Sequence, residues 1–553
     1  MTPRDWLQQF GAALERGDID AAAGLFEPDG FWRDLVSFTW NLKTCEGHAQ
    51  IKAMLAATLA GVKPRNFVAK SNDWFSFETA VGRGIGHLRL RGAHAWTLLT
   101  TLQELKGFEE RREEMRRSSS EPSPAQAPFV LIVGGGQGGI ALAARLKRLG
   151  VPAVVVEKNE RAGDSWRKRY ASLCLHDPVW YDHMPYLPFP EHWPVFTPKD
   201  RMGDWLEMYV KVMQLDYRTS TACTKATFRD GEWEVNLLRN GEPLTLRPKH
   251  LVLATGMSGF PSVPQIKGIE GFHGAVVHSS KFAGGAAWKG KHAVVVGSGT
   301  SAHDICQDLH AHGAARVTMI QRAPSIVVRT ESLMELAWGP LYSEQAVARG
   351  VSTAIADLTV ASVPFKVLPE LQRPIYKTIR ERDADLYAGL DKAGFQYNFG
   401  EDGSGIHSLY LRRGAGYYIE VGASQMIIDG RIKLKAGVSV EHASDKAVKL
   451  SDGSELPADL LVFATGYGSM TQWARALISP EVADKVGKVW GVGSDTKGDP
   501  GPWVGELRNM WKPTAQENLW FHGGNLMQSR HYSLYLALQL KARFEGLPTP
   551  VYL

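Results

Sequence analysis

The stretch Phe129-Val-Leu-Ile-Val-Gly134-Gly-Gly136-Gln-Gly-Gly139-Ile-Ala-Leu-Ala-Ala-Arg-Leu decides the fold. A short apolar run reads as a buried strand, glycines follow at G-x-G-x-x-G spacing, and a helical pattern opens at once. Gly134 suits the tight turn, Gly136 lets a pyrophosphate approach the backbone, and Gly139 lets helix and strand pack closely. The free N–H groups of the new helix then point at the phosphates. A second apolar run, Ala153-Val-Val-Val, ends in Glu157, 23 residues past Gly134, where a carboxylate accepts hydrogen bonds from a ribose diol. Strand, turn, helix, second strand and acid together predict a dinucleotide site.

The 553 residues exceed one core and suggest three or four domains. With 44% apolar and 22% charged residues the composition is that of an ordinary globular protein. A formal charge of +5 gives no basis for a nucleic-acid role. Cys45, Cys174, Cys223 and Cys306 lie far apart with no C-x-x-C pair, which argues against a disulfide framework, a metal site and a dithiol centre. The start Met1-Thr-Pro-Arg-Asp-Trp6 lacks a signal peptide's apolar core. No run reaches the roughly 18 apolar residues of a membrane span. A cytoplasmic protein without a membrane span is the expectation.

Residues 1–106 read as a separate α+β domain. Trp6, Leu7, Phe10, Ala13 and Leu14 recur at helical spacing, a further helix covers Ala49 to Leu59, and Phe31 to Leu35 and Ala95 to Leu102 read as strands. Gly17-Asp-Ile-Asp-Ala-Ala22 and Phe26-Glu-Pro-Asp-Gly-Phe-Trp32 resemble the cone-shaped SnoaL-like fold. Such cones enclose a small-molecule pocket or serve in oligomerisation, which leaves a homodimer open. Trp32, Asp34, His48 and Trp74 could line a pocket, or serve packing or dimerisation. Residues 107–128 form the linker: mixed charges extend a helix to about Arg117, and a Ser/Pro stretch follows.

After the first fingerprint come Arg161-Ala-Gly163-Asp-Ser-Trp166-Arg, Leu173-Cys-Leu-His176-Asp177-Pro and Leu187-Pro-Phe-Pro190. Trp166 could wall a flavin or be a core aromatic. Leu251-Val-Leu-Ala-Thr-Gly256 is an apolar strand ending in Ala-Thr-Gly. Phe272-His-Gly-Ala-Val-Val-His278-Ser-Ser-Lys-Phe282 then matches F-x-G-x-x-x-H-x-x-x-[F/Y/W]. Together these resemble the class B flavin-dependent monooxygenases, which include flavin-containing and indole-3-pyruvate monooxygenases. The resemblance implies that the linker joins two nucleotide domains and that His278 helps position them. The residues also fit a linking turn without chemistry.

A second fingerprint, Gly297-Ser298-Gly299-Thr300-Ser-Ala302, follows the strand from His292 and has the form G-x-G-x-x-A. The next strand, Arg316 to Gln321, ends in Arg322 where an acid would mark NADH, and a guanidinium suits a 2′-phosphate. The first site therefore reads as FAD and the second as NADPH. Residues 325–398 read as a mainly helical insertion; Gly416 to Gly422 and Gly430 to Leu434 return to the nucleotide-domain pattern. Leu461-Val-Phe-Ala-Thr-Gly466-Tyr is a second Ala-Thr-Gly strand end. Leu519-Trp-Phe-His-Gly-Gly524-Asn525 is a strand into a glycine turn, with a helix expected from Arg530; the resemblance makes Gly524 and Asn525 a third contact with FAD.

The expected fold is α/β: two Rossmann-like units and the N-terminal α+β domain. FAD takes 129–286 and 456–553, and NADPH takes 287–455. The resemblance implies that NADPH reduces FAD and that a C4a-hydroperoxyflavin inserts one oxygen atom into a small organic substrate. Candidate catalytic side chains are His176, Asp177 and His278. Baeyer–Villiger members carry Y-P-G-x-x-x-D where this chain has Tyr170-Ala-Ser-Leu-Cys-Leu-His176, and their linking motif ends in Trp rather than Phe282. Both departures favour N/S-oxygenation or oxidative decarboxylation of an aryl-pyruvate over ketone oxidation. The alternatives are an NADPH–flavin oxidoreductase without oxygen transfer and a non-catalytic scaffold.

Overall fold

The computed structural model describes residues 1–71, 73–111 and 128–553. The linker expected at 107–128 therefore lies outside the described residues from 112 to 127, as does the helical extension towards Arg117.

Two five-stranded parallel sheets organise the chain. In the first, Val130–Val133 lies between Ala153–Val156 and His250–Leu253, with Leu519–Phe521 and Tyr217–Arg218 at the edges. In the second, His292–Val296 lies between Leu460–Phe463 and Arg316–Gln321, with Ala275–His278 and Lys433–Ala436 outside. The inner strands are continuous apolar runs because a parallel sheet is covered on both faces. The fold is α/β with Rossmann-like sheets.

Sheet membership departs from the expected boundaries at 286 and 456. Ala275–His278 and Leu460–Phe463 both pair in the second sheet, Leu460–Phe463 directly with the second fingerprint's strand. Strand pairing across more than 180 residues leaves no local trace in the sequence. The stretch 325–398, expected to be mainly helical, begins and ends in strands. Ser325–Arg329 lies between Tyr397–Asn398 and Tyr417–Glu420 in a small parallel sheet of its own. Ile326-Val-Val is a β-branched run, which suits a strand better than a helix. Tyr417 thus belongs to this sheet and not to the larger nucleotide sheet. The C-terminal helix runs Leu526–Phe544, four residues earlier than expected, because Asn525 and Gln528 form a capping box.

The N-terminal residues form a six-stranded sheet in the order Leu42–Glu46, Phe26–Leu35, His94–Leu105, Gly82–Arg91, Trp74–Glu78, Arg65–Ala69. Its two faces pack differently. Trp32 and Leu98 face the sheet's own helices, among Trp6, Phe10 and Phe26. Leu99, Leu102 and Leu105 join the core of the first nucleotide sheet and the C-terminal helix. The four residues that could line a pocket or serve packing make packing contacts. Trp32 is fully buried, with its indole N–H on Thr100 Oγ1 at 2.9 Å. Buried Asp34 accepts from Thr39 and Thr100, His48 Nε2 lies 2.9 Å from the Phe26 carbonyl, and Trp74 packs edge-on against His87.

Arg33, fully buried, locks this unit to the rest. Its Nε and Nη2 donate to the two oxygens of Glu506, each at 2.7 Å. Removing one partner of such a pair strands a buried charge. Arg33→Met should therefore destabilise the protein by about 3–5 kcal/mol, and Arg33→Met/Glu506→Gln should regain most of that loss. Urea denaturation followed by circular dichroism compares them; equal losses in both variants would contradict a desolvated pair.

Candidate functional site

Each nucleotide sheet ends in the same piece of geometry. Gly134 has φ of +109°, and a Cβ there would lie 2.3 Å from the carbonyl oxygen of Ala254, the first residue of Ala-Thr-Gly256. Gly297 has φ of +129° and a Cβ there would lie 2.3 Å from the carbonyl oxygen of Ala464, the first residue of Ala-Thr-Gly466. A Cβ on Gly139 would meet the Gly134 carbonyl at 2.1 Å, so helix and turn also touch directly. These three glycines are required by packing alone. Gly136 and Gly299 are not. A Cβ on Gly136 would find only Ser165 Oγ at 3.8 Å, and one on Gly299 only the Tyr417 carbonyl at 3.6 Å. Both cap helices with free N–H groups, Gln137–Arg148 and Thr300–Ala311, and both line one large cavity. An open glycine at a helix N-terminus is the cradle a phosphate needs, and it fits a dinucleotide in both places.

That cavity has a volume of about 1750 Å³ and is walled by both units. Gly256 and Gly466 line it in left-handed turns, with φ of +82° and +80°. Glu157 lines it from the second strand of the first sheet; its Oε2 accepts from Gly135 N at 2.8 Å and its Oε1 from Asn159. Trp166 stands half-buried on the wall. Ser298 Oγ is 2.8 Å from Ser325 Oγ, Thr300 Oγ1 donates to the Tyr417 carbonyl, and Ala302 is buried in the helix. Arg322 is exposed on the cavity's rim, without an ion-pair partner among the described residues. Gly524, also on the wall, leads into Asn525, which caps the C-terminal helix and donates from Nδ2 to Tyr181 Oη at 3.0 Å.

His278 does not line the cavity. Its Nδ1 accepts from Ser280 N at 3.1 Å, so Nε2 carries the proton and donates to the Gly466 carbonyl at 3.0 Å. Burial lowers its pKa and keeps it neutral. Nε2 thus fastens the linking strand to the second Ala-Thr-Gly turn, while Nδ1 is satisfied by Ser280 within its own segment.

His176 and Asp177 do line the cavity, where the two units meet. His176 Nε2 lies 3.4 Å from Tyr417 Oη, which comes from the small parallel sheet. Burial raises the Asp177 carboxyl, and His176 partly opposes this. Sequence reasoning missed two neighbours. Asp182 is fully buried, lines the cavity, and neither of its carboxylate oxygens has a hydrogen-bond partner among the described residues. Burial, and then the nearby Asp177, hold its carboxyl well above the usual range. Tyr170 donates to Asp304 Oδ2 at 2.6 Å, tying the Trp166 segment to the second fingerprint helix. Asp182 lies five residues past Asp177, so its only signal was proximity in the chain.

Two nucleotide cradles opening into one cavity define a two-dinucleotide oxidoreductase. Residues 131–345 match the family described as pyridine nucleotide-disulphide oxidoreductase. Indole-3-pyruvate monooxygenase YUCCA1 of Oryza sativa subsp. japonica is 30% identical over 364 residues, covering 65% of this chain and 82% of the relative. The probable indole-3-pyruvate monooxygenase YUCCA7 of Arabidopsis thaliana is 31% identical over 356 residues, covering 62% and 75%. Among solved structures, OTEMO in complex with FAD and NADP aligns with a TM-score of 0.53 at 18% identity, over 77% of this chain and 85% of that one. Cyclohexanone monooxygenase in an open form gives 0.53 at 17%, over 76% and 89%. The structural likeness is one of fold. The chain belongs to the flavin-dependent monooxygenase family, whose members are FAD- and NADPH-dependent oxidoreductases. Among the described residues no helix is long and apolar enough to cross a membrane, and no group of His, Cys, Asp and Glu could hold a metal ion.

Gly136→Ala should leave the fold intact and abolish copurifying FAD absorbance, while Gly299→Ala should weaken NADP⁺ binding without loss of flavin. Normal flavin content in folded Gly136→Ala would contradict the cradle. A second expectation concerns acid. Burial lowers the pKa of His303, His407 and His522 to about 4, 4 and 3. Unfolded histidines titrate near 6.5, so protons bind the unfolded chain first and stability falls as pH drops from about 6.5 towards 4, by roughly 1.4 kcal/mol per histidine per pH unit. A melting temperature that does not change between pH 7.5 and 5 would contradict these assignments.

Proposed function

We propose that the protein uses NADPH and dioxygen to insert one oxygen atom into a small organic substrate, with aryl-pyruvates the first class to test. The observation that carries this is the shared cavity: Gly136 and Gly299, the two open glycines, face the same space. Bound there, FAD supplies the two-electron exchange with NADPH and the reaction with dioxygen. Gly134, Gly136, Gly139, Glu157, Trp166, Gly256, Gly524 and Asn525 hold FAD. Gly297, Ser298, Gly299, Thr300, Ala302, Arg322 and Gly466 hold NADPH. His176 and Asp177 stand at the meeting of the two units, where Asp177 can hold a proton that an ordinary aspartate would release. The walls exclude water from the reacting groups. His278 holds the linking strand against the second Ala-Thr-Gly turn.

For an aryl-pyruvate the balance is Ar-CH₂-CO-COO⁻ + O₂ + NADPH + H⁺ giving Ar-CH₂-COO⁻ + CO₂ + NADP⁺ + H₂O. The relatives named indole-3-pyruvate monooxygenases, His176 in place of an aspartate, and Phe282 in place of tryptophan support this class and N/S-oxygenation over ketone oxidation. Amines and thioethers complete the panel. A substrate should couple NADPH oxidation one to one with product, and ¹⁸O₂ should place one labelled atom in it. NADPH oxidation that yields no labelled product with any of the panel would contradict the reading.

Coenzyme choice rests on Arg322. Charge-assisted bonds of 1.5–3 kcal/mol correspond to roughly ten- to a hundredfold in binding. Arg322→Ala should raise the Michaelis constant for NADPH by about that factor and leave that for NADH within about twofold. Equal effects on both coenzymes would remove the assignment.

A further inference from the structure

We propose that Arg33, a residue of the N-terminal sheet, is a positioning residue for the cavity wall formed by Phe365 and Tyr532, which makes the N-terminal unit a support of the active chamber. This rests on the monooxygenase reading above.

Arg33 stands on the strand Phe26–Leu35, fully buried, and touches three separate parts of the chain. Besides Glu506, its Nη1 donates to the Ala361 carbonyl at 2.6 Å and its Nη2 to Tyr532 Oη at 3.0 Å. Its guanidinium carbon lies 4.3 Å from the centroid of the Phe365 ring. Phe365 and Tyr532 both line the cavity, and so do Val360, Val363 and Leu368 of the same wall. One layer of aromatic rings therefore separates the guanidinium from the cavity.

The rest of the N-terminal sheet grips the same segment. Arg89 donates to the Ser362 carbonyl at 2.9 Å and to Ser362 Oγ at 2.7 Å. Lys366 pairs with Glu46, and Thr44 donates to Glu506 Oε1 at 2.7 Å. Ala361 and Ser362 end the helix Thr353–Ala361, so two arginines of another unit satisfy carbonyls at its negative terminus. The same helix reaches the acidic end of the cavity. Its buried Asp357 forms a bidentate pair with Arg530, at 2.8 and 2.7 Å, and Arg530 Nη1 donates to the Tyr181 and His183 carbonyls on either side of Asp182. Fixing that helix end thus fixes both the aromatic wall and the segment that carries Asp177 and Asp182.

A clamp that only fastened two surfaces would need no contact with cavity-lining rings. A buried ion pair adds little net stability over an apolar replacement, so the role proposed for this one is to fix geometry. A wall displaced by a fraction of an ångström loosens substrate alignment and admits water. The cradles at Gly136 and Gly299 are built by other elements, so cofactor binding should not change.

The test uses full-length, FAD-loaded protein and three variants: Arg33→Met/Glu506→Gln, which keeps charge balance; Phe365→Leu; and Tyr532→Phe, which removes only the hydroxyl that Arg33 reaches. Each is compared with wild type for flavin content, NADPH Michaelis constant, Michaelis constant for phenylpyruvate, and hydrogen peroxide formed per NADPH in air with and without it. The expected result is a rise of about tenfold in the phenylpyruvate constant or in the peroxide fraction, with the NADPH constant within about twofold. Combining Arg33→Met/Glu506→Gln with Phe365→Leu should add little, because one acts through the other. Folded, flavin-replete variants with unchanged phenylpyruvate and peroxide values overturn the proposal, and so do fully additive effects. If Arg33→Met/Glu506→Gln fails to fold, Phe365→Leu and Tyr532→Phe decide by the same readings. If wild type turns over no phenylpyruvate, the substrate-free peroxide rate decides. Wild type that does not oxidise NADPH in air overturns the enzymatic reading itself, a result distinct from equal behaviour of wild type and variants.

Discussion

Both nucleotide units depend on one close approach, a glycine Cα lying against the carbonyl that ends the neighbouring strand. Any side chain at Gly134 or Gly297 would overlap the Ala254 or Ala464 oxygen. The contact forces the turn to occur at the carboxyl end of the central strand and starts the following helix there. The free N–H groups then face the crevice where open α/β sheets bind ligands. Because both sheets obey the same constraint, both cradles lie at carboxyl ends, and a single cavity can receive them.

Facing the two units together requires further contacts, and these are polar. Tyr170 reaches Asp304 of the second fingerprint helix, His278 holds the Gly466 carbonyl, and His176 stands against Tyr417. The first and third join a short segment of one unit to a helix or strand of the other, and the second fastens the linking strand to the turn beside it. The N-terminal sheet adds a third body to the assembly: one of its faces shares a core with the first nucleotide sheet, and its Arg33 reaches through to the cavity wall. Separation along the chain by a charged and Ser/Pro-rich stretch did not mean separation in space.

The parts legible in the sequence were those specified over a few residues. The glycine spacing, the apolar strands and the Ala-Thr-Gly ends are each local, and the turn geometry follows from them. Asn525-Leu-Met-Gln528 was also a local signal, a capping box that sets the start of the C-terminal helix, although the helix was expected four residues later. What remained hidden is what long-range pairing decides. Ala275–His278 and Leu460–Phe463 enter the second sheet through partners far away in the chain. Ser325–Arg329 carries a β-branched run, but the sheet it joins is set by Tyr397–Asn398 and Tyr417–Glu420, far along the chain. Arg33 looks like any strand arginine until Glu506, Ala361 and Tyr532 converge on it, and Asp182 becomes notable only once its oxygens are seen to lack partners.

The central claim is that FAD and NADPH meet in one cavity, and anaerobic stopped-flow reduction tests it most directly. NADPH should bleach the absorbance of bound FAD at a rate that saturates with concentration. NADPH deuterated at one face of nicotinamide C4 should slow that step, and the opposite isotopomer should not. Bound flavin that stays oxidised under excess NADPH, or equal rates for both isotopomers and the unlabelled coenzyme, would contradict the account.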